Sequence, residues 1–322
     1  MVWLYVSLGV LFTFLISIFI GALYGYKTGF YLSNDDKKKR GASIDLERLI
    51  AADEKVQKLI GDFASREFED ITIKSFDGTE LHGMYFHLKD GAPLQIQFHG
   101  YKGNAYRDFC GGNQLALQLE HNTLVVDQRA HGKSEGHTIS MGLRERYDCL
   151  CWAKYAYERF GDNVPIFLVG VSMGGATVLM ASELELPKTV SGIIADCPFS
   201  HAPEVVKCFI RRMSGLPVKL AYSFAFLGGL IFGGFNINKA SPKESVKHTS
   251  IPIIIFHGTA DTIVPYEMGV ELFECCASKD KFLYSFDGAD HGMSFMVDKE
   301  KYTKATFDFV NLCIDNFEKA KN

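Results

Sequence analysis

Proline is scarce in this chain, cysteine is dilute, and neither sign of charge dominates. Only 9 of the 322 residues are Pro against 30 Gly, with 47% hydrophobic and 22% charged residues. That composition is globular and excludes a disordered, collagen-like or coiled-coil chain. The 34 Lys and Arg against 38 Asp and Glu leave a formal net charge of −4, which removes the basic footprint that nucleic-acid binding requires. The 8 Cys are too few for a disulfide scaffold. Cys149-x-Cys151 and Cys275-Cys276 lack a second paired cluster with His at zinc spacing, so they read as reduced packing residues. There is no internal repeat, no low-complexity tract and no nucleotide, flavin or metal motif, so neither a cofactor nor a metal is expected.

Charge is also missing from the first 26 residues, and there the absence is informative. Met1 to Tyr26 form one apolar run. About 20 such residues at a rise of roughly 1.5 Å cross a hydrocarbon core of roughly 30 Å. A cleaved signal peptide would need a basic start, a shorter apolar stretch and a small-residue cleavage site. This segment has none of the first, exceeds the second, and leaves through Tyr24, Tyr26, Phe30 and Tyr31, aromatics suited to a membrane–water interface. Residues 1–31 are therefore expected to be an uncleaved transmembrane anchor. Lys27 and the run Lys37, Lys38, Lys39 and Arg40 follow the span, and only the terminal amine precedes it. The positive-inside rule then puts the rest of the chain on the cytoplasmic side of a single-pass protein. Residues 32–66 read as a solvated juxtamembrane linker (SNDDKKKR, 33–40) and then an amphipathic helix from Ser43, with Leu46, Leu49, Ile50, Val56, Leu59 and Ile60 on one face.

From residue 67 onward, strand and helix signals alternate. Phe68–Lys74 and Leu81–Leu88 flank Phe76-Asp77-Gly78, an antiparallel hairpin. Apolar runs follow at 94–98, 123–126, 166–170, 191–195, 252–256 and 281–286, separated by helix-length segments at about 104–120, 143–160, 173–184, 266–277 and 299–319. Such a chain builds βαβ units and a mostly parallel sheet covered on both faces, in which chemistry sits at the carboxyl ends of the strands.

G-x-S-x-G occurs twice, and context separates the copies. A nucleophile elbow needs a strand before the Ser and a helix after it. Ser172 follows the apolar run 165–169 and precedes Gly174, Gly175 and Ala176, small enough for helix and strand to pack closely; Ser134 lies in the polar loop DQRAHGKSEGH. Ser172 is the candidate nucleophile and Ser134 a turn residue. A serine hydroxyl needs a base to take its proton and usually an acid to orient that base. His291 lies in a glycine-rich loop after the last strand, and Asp261 directly follows the strand at 252–256, giving the order Ser…Asp…His that this chemistry takes on an α/β sheet. Asp196, also after a strand, is the rival acid, and Asp290, next to His291, should point away from its imidazole. Two backbone N–H groups should hold the oxyanion, that of Met173 after the nucleophile and that of Tyr101 in the loop FHGYKGN after the run 94–98. His99, in the same loop, reads as structural rather than as a base.

These motifs together (FHGYKGN, DQRAHGKSEG, GVSMGG, HGTADTIVP and GADHG) resemble those of α/β-hydrolase superfamily serine hydrolases, nearest to bacterial-type esterases and prolyl-oligopeptidase-like hydrolases, from about Glu67 to the C-terminus. The resemblance implies an α/β-hydrolase fold, an eight-stranded mostly parallel sheet over 67–322 with helices on both faces. It also implies that Asp127, Arg129 and the Ser134 motif are scaffold. It does not imply a substrate. A small helical cap is expected over about 198–242. Its apolar stretch Leu220–Phe235 is short and glycine-broken, and as a membrane crossing it would put Ser172 and Asp261 on opposite sides. It is expected to line an acyl pocket or lean on the bilayer, against the plainer reading of a buried helix pair. The resulting expectation is a membrane-anchored serine esterase acting on a small-molecule or lipid-like ester, with no nucleic-acid partner. A peptidase or thioesterase using the same residues, or a non-catalytic membrane interaction protein, is the alternative. No chemistry-bearing residue lies upstream of Ser43, so a chain begun there should stay soluble and active on short esters.

Overall fold

A computed structural model describes residues 1–39, 54–213 and 215–321. Its centre is one eight-stranded sheet of β1 (Glu69–Lys74), β2 (Glu80–Phe86), β3 (Leu94–Phe98), β4 (Asn122–Val126), β5 (Ile166–Val171), β6 (Val190–Asp196), β7 (Ile253–Gly258) and β8 (Lys281–Phe286), in the order 1-2-4-3-5-6-7-8. β1–β2 and β2–β4 pair antiparallel, and every other neighbour pair is parallel. Each of β3 to β8 lies within two residues of the run expected for it. β3, β4, β6 and β7 are buried along their whole length because helices cover both faces. On one face Trp152 and Leu179 pack over the sheet, and on the other Phe63, Leu115 and Phe309 do.

Register decides where chemistry can occur. Phe98 pairs with Gly170, Val171 with Asp196, Asp196 with Phe256 and Gly258 with Phe286. The carboxyl ends of β3, β5, β6, β7 and β8 thus form one row, and the loops leaving them share one rim. Above that rim stand two cap helices, Ala202–Met213 and Val218–Ile231, inside the expected cap segment.

Val2–Gly29 is a single helix, the one helix among the described residues long and apolar enough to cross a membrane. Its side chains are exposed to about Ile20, but Ala22, Tyr26, Phe30 and Leu32 are buried. The backbone beyond it pairs with residues 137–139: Leu32 N–H donates to His137 O and Ile139 N–H to Phe30 O. Tyr26 Oη and Thr138 Oγ1 share a hydrogen bond of 2.7 Å. The segment expected as a free linker is therefore structured where it is described. Asn34–Lys39 is helical, with Asp36 and Ser33 bonded reciprocally at its start, and Lys37 Nζ donates to Ser134 O. Arg40 and the first part of the expected amphipathic helix, with Leu46, Leu49 and Ile50, lie outside the described residues; its second part is the helix Glu54–Ala64, which buries Val56 and Phe63. A chain begun at Ser43, expected to stay soluble and active on short esters, would lack Tyr26, Phe30 and Leu32, which belong to the same apolar cluster as Met173, Ala176 and Phe199. Phe30 is 1% exposed and meets Phe235 edge-on at 5.1 Å. Phe30→Ala should therefore cost about 3–5 kcal/mol, to be read from denaturant unfolding in detergent. A loss below about 1 kcal/mol would mean that the helix end is not part of the folded core.

Candidate active site

β5 ends at Val171, the helix Met173–Ala181 begins two residues later, and Ser172 alone makes the turn. Its backbone has φ 54° and ψ −115°, an unfavourable conformation for a side chain with a Cβ. Two features hold it there. Ser172 N–H donates to Asp196 O at 2.8 Å. The helix also packs so closely on β3 that a Cβ at Gly174 would overlap the carbonyl oxygen of Phe98, while one at Gly170 would overlap Gly174. The glycines flanking Ser172 therefore answer a need for backbone contact. The strained turn points Oγ away from the sheet, over the rim.

His291 reaches this hydroxyl from the loop after β8, with Nε2 2.9 Å from Ser172 Oγ, and its Nδ1 lies 2.7 Å from Asp261 Oδ2. Asp261 Oδ1 accepts the N–H groups of Ile263 and Val264 at 2.9 and 2.8 Å, so its own loop clamps the carboxylate. Burial would push this carboxyl up, but hydrogen bonds from His257 and His291 and the N–H of Val264 outweigh it and hold the group well below the usual carboxylate range. It is an anion at any working pH and can accept only, so the imidazole nitrogen facing it is the protonated one.

The rival acid does not reach the imidazole. Asp196 is buried beneath the elbow, with Oδ2 accepting Tyr302 Oη at 3.1 Å and Oδ1 without a partner. Burial raises its carboxyl to about 6 against the pull of Tyr302. Asp290 turns to the backbone, where Oδ1 takes the N–H groups of His291 and Thr262 and ties the two loops together. Ser134 is 1% exposed and donates to Asp127 O. Asp127 in turn holds His82 Nδ1 and the Lys133 N–H. Arg129 grips Asp148 with Nε and Nη2, both at 2.6 Å. Ser134, Asp127 and Arg129 are thus held as joints of the scaffold.

Met173 opens its helix, so its N–H has no acceptor within that helix. Tyr101 lies in the loop leaving β3, next to Gly100, where an added Cβ would stand 3.4 Å from Ser172 Cβ. His99 is 0% exposed, bonds its Nδ1 to Gly100 O and accepts Gln128 N–H at Nε2, a buried brace rather than a base.

Three neighbours have placements that the sequence does not suggest, among them Cys197, which reads from sequence as a packing residue. His257 places Nε2 3.4 Å from Asp261 Oδ2 while bonding Val264 O. His131 accepts Lys102 N–H and is kept neutral by burial, its pKa lowered to about 3. Cys197, at φ 43°, brings Sγ to 3.9 Å from His291 Nε2, and burial pushes its thiol far up. Each follows a strand or borders a motif, but only the paired strand ends bring them together. Among the described residues one group, Cys197, Asp261 and His291, offers three donor atoms close enough for a metal ion, yet His291 and Asp261 are already bonded to each other.

An eight-stranded α/β sheet with a strained serine turn at the end of β5 defines a hydrolase scaffold. Residues 96–226 match the family model described as "alpha/beta hydrolase fold", and residues 239–298 match one described as "Serine aminopeptidase, S33". The chain is 26% identical over 256 residues to the uncharacterized protein YqkD of Bacillus subtilis, covering 80% of this chain and 83% of that one. It is 26% identical over 208 residues to lysophosphatidylserine lipase ABHD12 of Rattus norvegicus, covering 61% of this chain and 48% of the lipase, so it spans about half that lipase's length. The Pyrococcus furiosus esterase Pf2001 shares its fold with a TM-score of 0.64 at 22% identity, over 78% of this chain and 94% of that one. The chain has the α/β-hydrolase fold and is an enzyme with esterase and lipase relatives.

The raised Asp196 carboxyl has a consequence for stability. Below pH 3.8 both native and unfolded chains hold its proton, and the group contributes nothing. Between 3.8 and about 6 the unfolded chain ionises first, and above that range the native state carries the full cost. Asp196→Asn, which keeps an acceptor for Tyr302, should therefore gain about 3 kcal/mol relative to the parent between pH 3.5 and pH 7. Denaturant titrations at the two pH values measure the difference, and a pH-independent difference would refute it.

Proposed function

We propose that this protein is a membrane-anchored serine hydrolase that cleaves carboxylic esters with an apolar acyl group. The observation that carries the reading is the unbroken hydrogen-bond chain from Ser172 Oγ through His291 to Asp261. Ser172 Oγ attacks the ester carbonyl as His291 Nε2 takes its proton, and Asp261 fixes the ring and stabilises the imidazolium. The N–H groups of Met173 and Tyr101 receive the developing oxyanion. His291 then protonates the leaving alcohol, and water enters by the reverse steps to free the acid. Half-buried Tyr101, Val206, Phe209 and Ile263 in the cluster beneath the cap favour an acyl chain, and the names of the lipase and esterase relatives favour an ester over an amide. The match of residues 239–298 to an aminopeptidase family model supports a second reading, a peptidase on the same residues.

Ser172→Ala should abolish hydrolysis of p-nitrophenyl esters and labelling by a fluorophosphonate, while Ser134→Ala stays within a few-fold of the parent. Asp261→Asn should lower kcat by about 10⁴-fold, because the imidazole loses the partner that sets its tautomer, and Asp196→Asn by far less. Faster turnover of aminoacyl anilides than of any ester would move the assignment to the peptidase. We infer further that the catalytic domain faces the cytoplasm, since Lys27 and the basic run from Lys37 follow the span. Protease added to intact cells should leave the domain uncut, and digestion there would reverse the orientation.

A further inference from the structure

The N-terminal helix does more than end near the active site; the loop expected to hold the oxyanion is tied to it. Tyr101 Oη donates to Gly29 O at 2.7 Å, and Lys102 Nζ donates to Thr28 O at 3.0 Å. These carbonyls lie in the last turn of Val2–Gly29, where C=O groups have no N–H donors within the helix and where its dipole favours a cation such as the Lys102 ammonium. The loop needs external support. Lys102 has φ 50°, a left-handed conformation that costs a residue with a side chain about 1 kcal/mol or more. Its N–H is held from the other side by His131 Nε2 at 3.1 Å. The loop is therefore clamped between the scaffold and the end of the apolar helix.

That helix end is itself seated by backbone contact. Phe19 meets Phe232 edge-on at 5.2 Å, a Cβ at Gly228 would overlap Ala22 O, and one at Gly25 would stand 2.7 Å from Ala225 N. The contacts run in opposite directions along the two chains, so the helix and the second cap helix lie antiparallel with their backbones touching. Leu230 and Ile231, at the cap helix's end beside Phe19, are exposed. The exposed span up to about Ile20 and this apolar tip form one continuous surface, and the remaining turns enter the domain.

We infer that the end of the membrane-spanning helix is a positioning element for the oxyanion loop, so that catalysis depends on the seating of the anchor against the cap. The inference rests on the proposed role of the Tyr101 amide. Thr28 and Gly29 touch no substrate; they hold the side chains of Tyr101 and Lys102 and thereby the direction in which the Tyr101 N–H points. A donor that acts on the oxyanion matters in the transition state and little in the ground state, so loosening it lowers kcat and leaves KM nearly unchanged. Complete loss of one such donor costs about 10²–10³-fold, and partial misalignment should cost about tenfold.

The test uses full-length protein in detergent micelles with a short p-nitrophenyl ester, which needs no membrane to reach the site. Tyr101→Phe keeps the ring against Phe209 and removes the bond to Gly29 O; Gly25→Leu forces the two helices apart. Gly9→Leu, on the exposed span where an added Cβ meets nothing within 4 Å, is the control. The expected result is kcat lowered about tenfold in Tyr101→Phe and Gly25→Leu, KM within about two-fold of the parent, and both values unchanged in Gly9→Leu. If Gly25→Leu does not fold, Lys102→Met replaces it. Parental kcat in Tyr101→Phe and its companion, or a loss confined to KM, overturns the inference while Ser172→Ala remains inactive. Activity surviving in Ser172→Ala would instead overturn the reading of the site on which the inference rests.

Discussion

Where the helix Met173–Ala181 lies against the end of β3, no space remains for a side chain at Gly174, and most of the site's geometry follows from that contact. It requires the chain to leave β5 and enter the helix within one residue. Ser172 therefore takes a conformation it would avoid in an unconstrained peptide. The same contact aligns the helix's first N–H group with the loop leaving β3, because β3 and β5 are neighbours in register, Phe98 opposite Gly170. Strain at one residue is held by the packing of two whole elements, which is why the hydroxyl can be both exposed to the rim and fixed in direction.

Electrostatics around the serine are arranged by unequal burial of two carboxyl groups. Asp261 and Asp196 follow neighbouring strands, and both are almost out of reach of solvent. Asp261 receives two backbone N–H groups and an imidazole, and remains ionised. Asp196 has one phenol and one unpaired oxygen, and its pKa rises instead. Number of donors, more than depth, separates the two. His257 beneath Asp261 and Asp290 beside His291 hold the two loops in place.

The apolar helix at the N-terminus reaches the loop after β3 through its last turn. Its exposed part is uniformly apolar, whereas its last turns pair with the cap and with residues 137–139 and supply carbonyls to the loop after β3. The cap helices, the apolar helix and the loop after β3 are thus in mutual contact above the carboxyl ends of the strands.

Much of this was readable from local pattern. Apolar runs of strand length, helices between them and small residues around Ser172 determined the strands, their sequence order and the candidate nucleophile, because those features depend on neighbours within a few residues. Ser172, Asp261 and His291 could each be placed at a strand's end for the same reason. What the tertiary structure alone decided depends on residues far apart in the chain. Whether Asp196 or Asp261 faces the imidazole turns on which loop folds back over it, and the roles of His131, His257 and Cys197 turn on the pairing of strand ends. The N-terminal helix is the clearest case. An uncharged run of 26 residues reads as a span from hydropathy alone, but hydropathy cannot distinguish apolar residues that face lipid from apolar residues buried against Phe235 and Met173. Only the docking of the cap helix separates Val2–Ile20, which stays bare, from Tyr26, Phe30 and Leu32, which became part of the core.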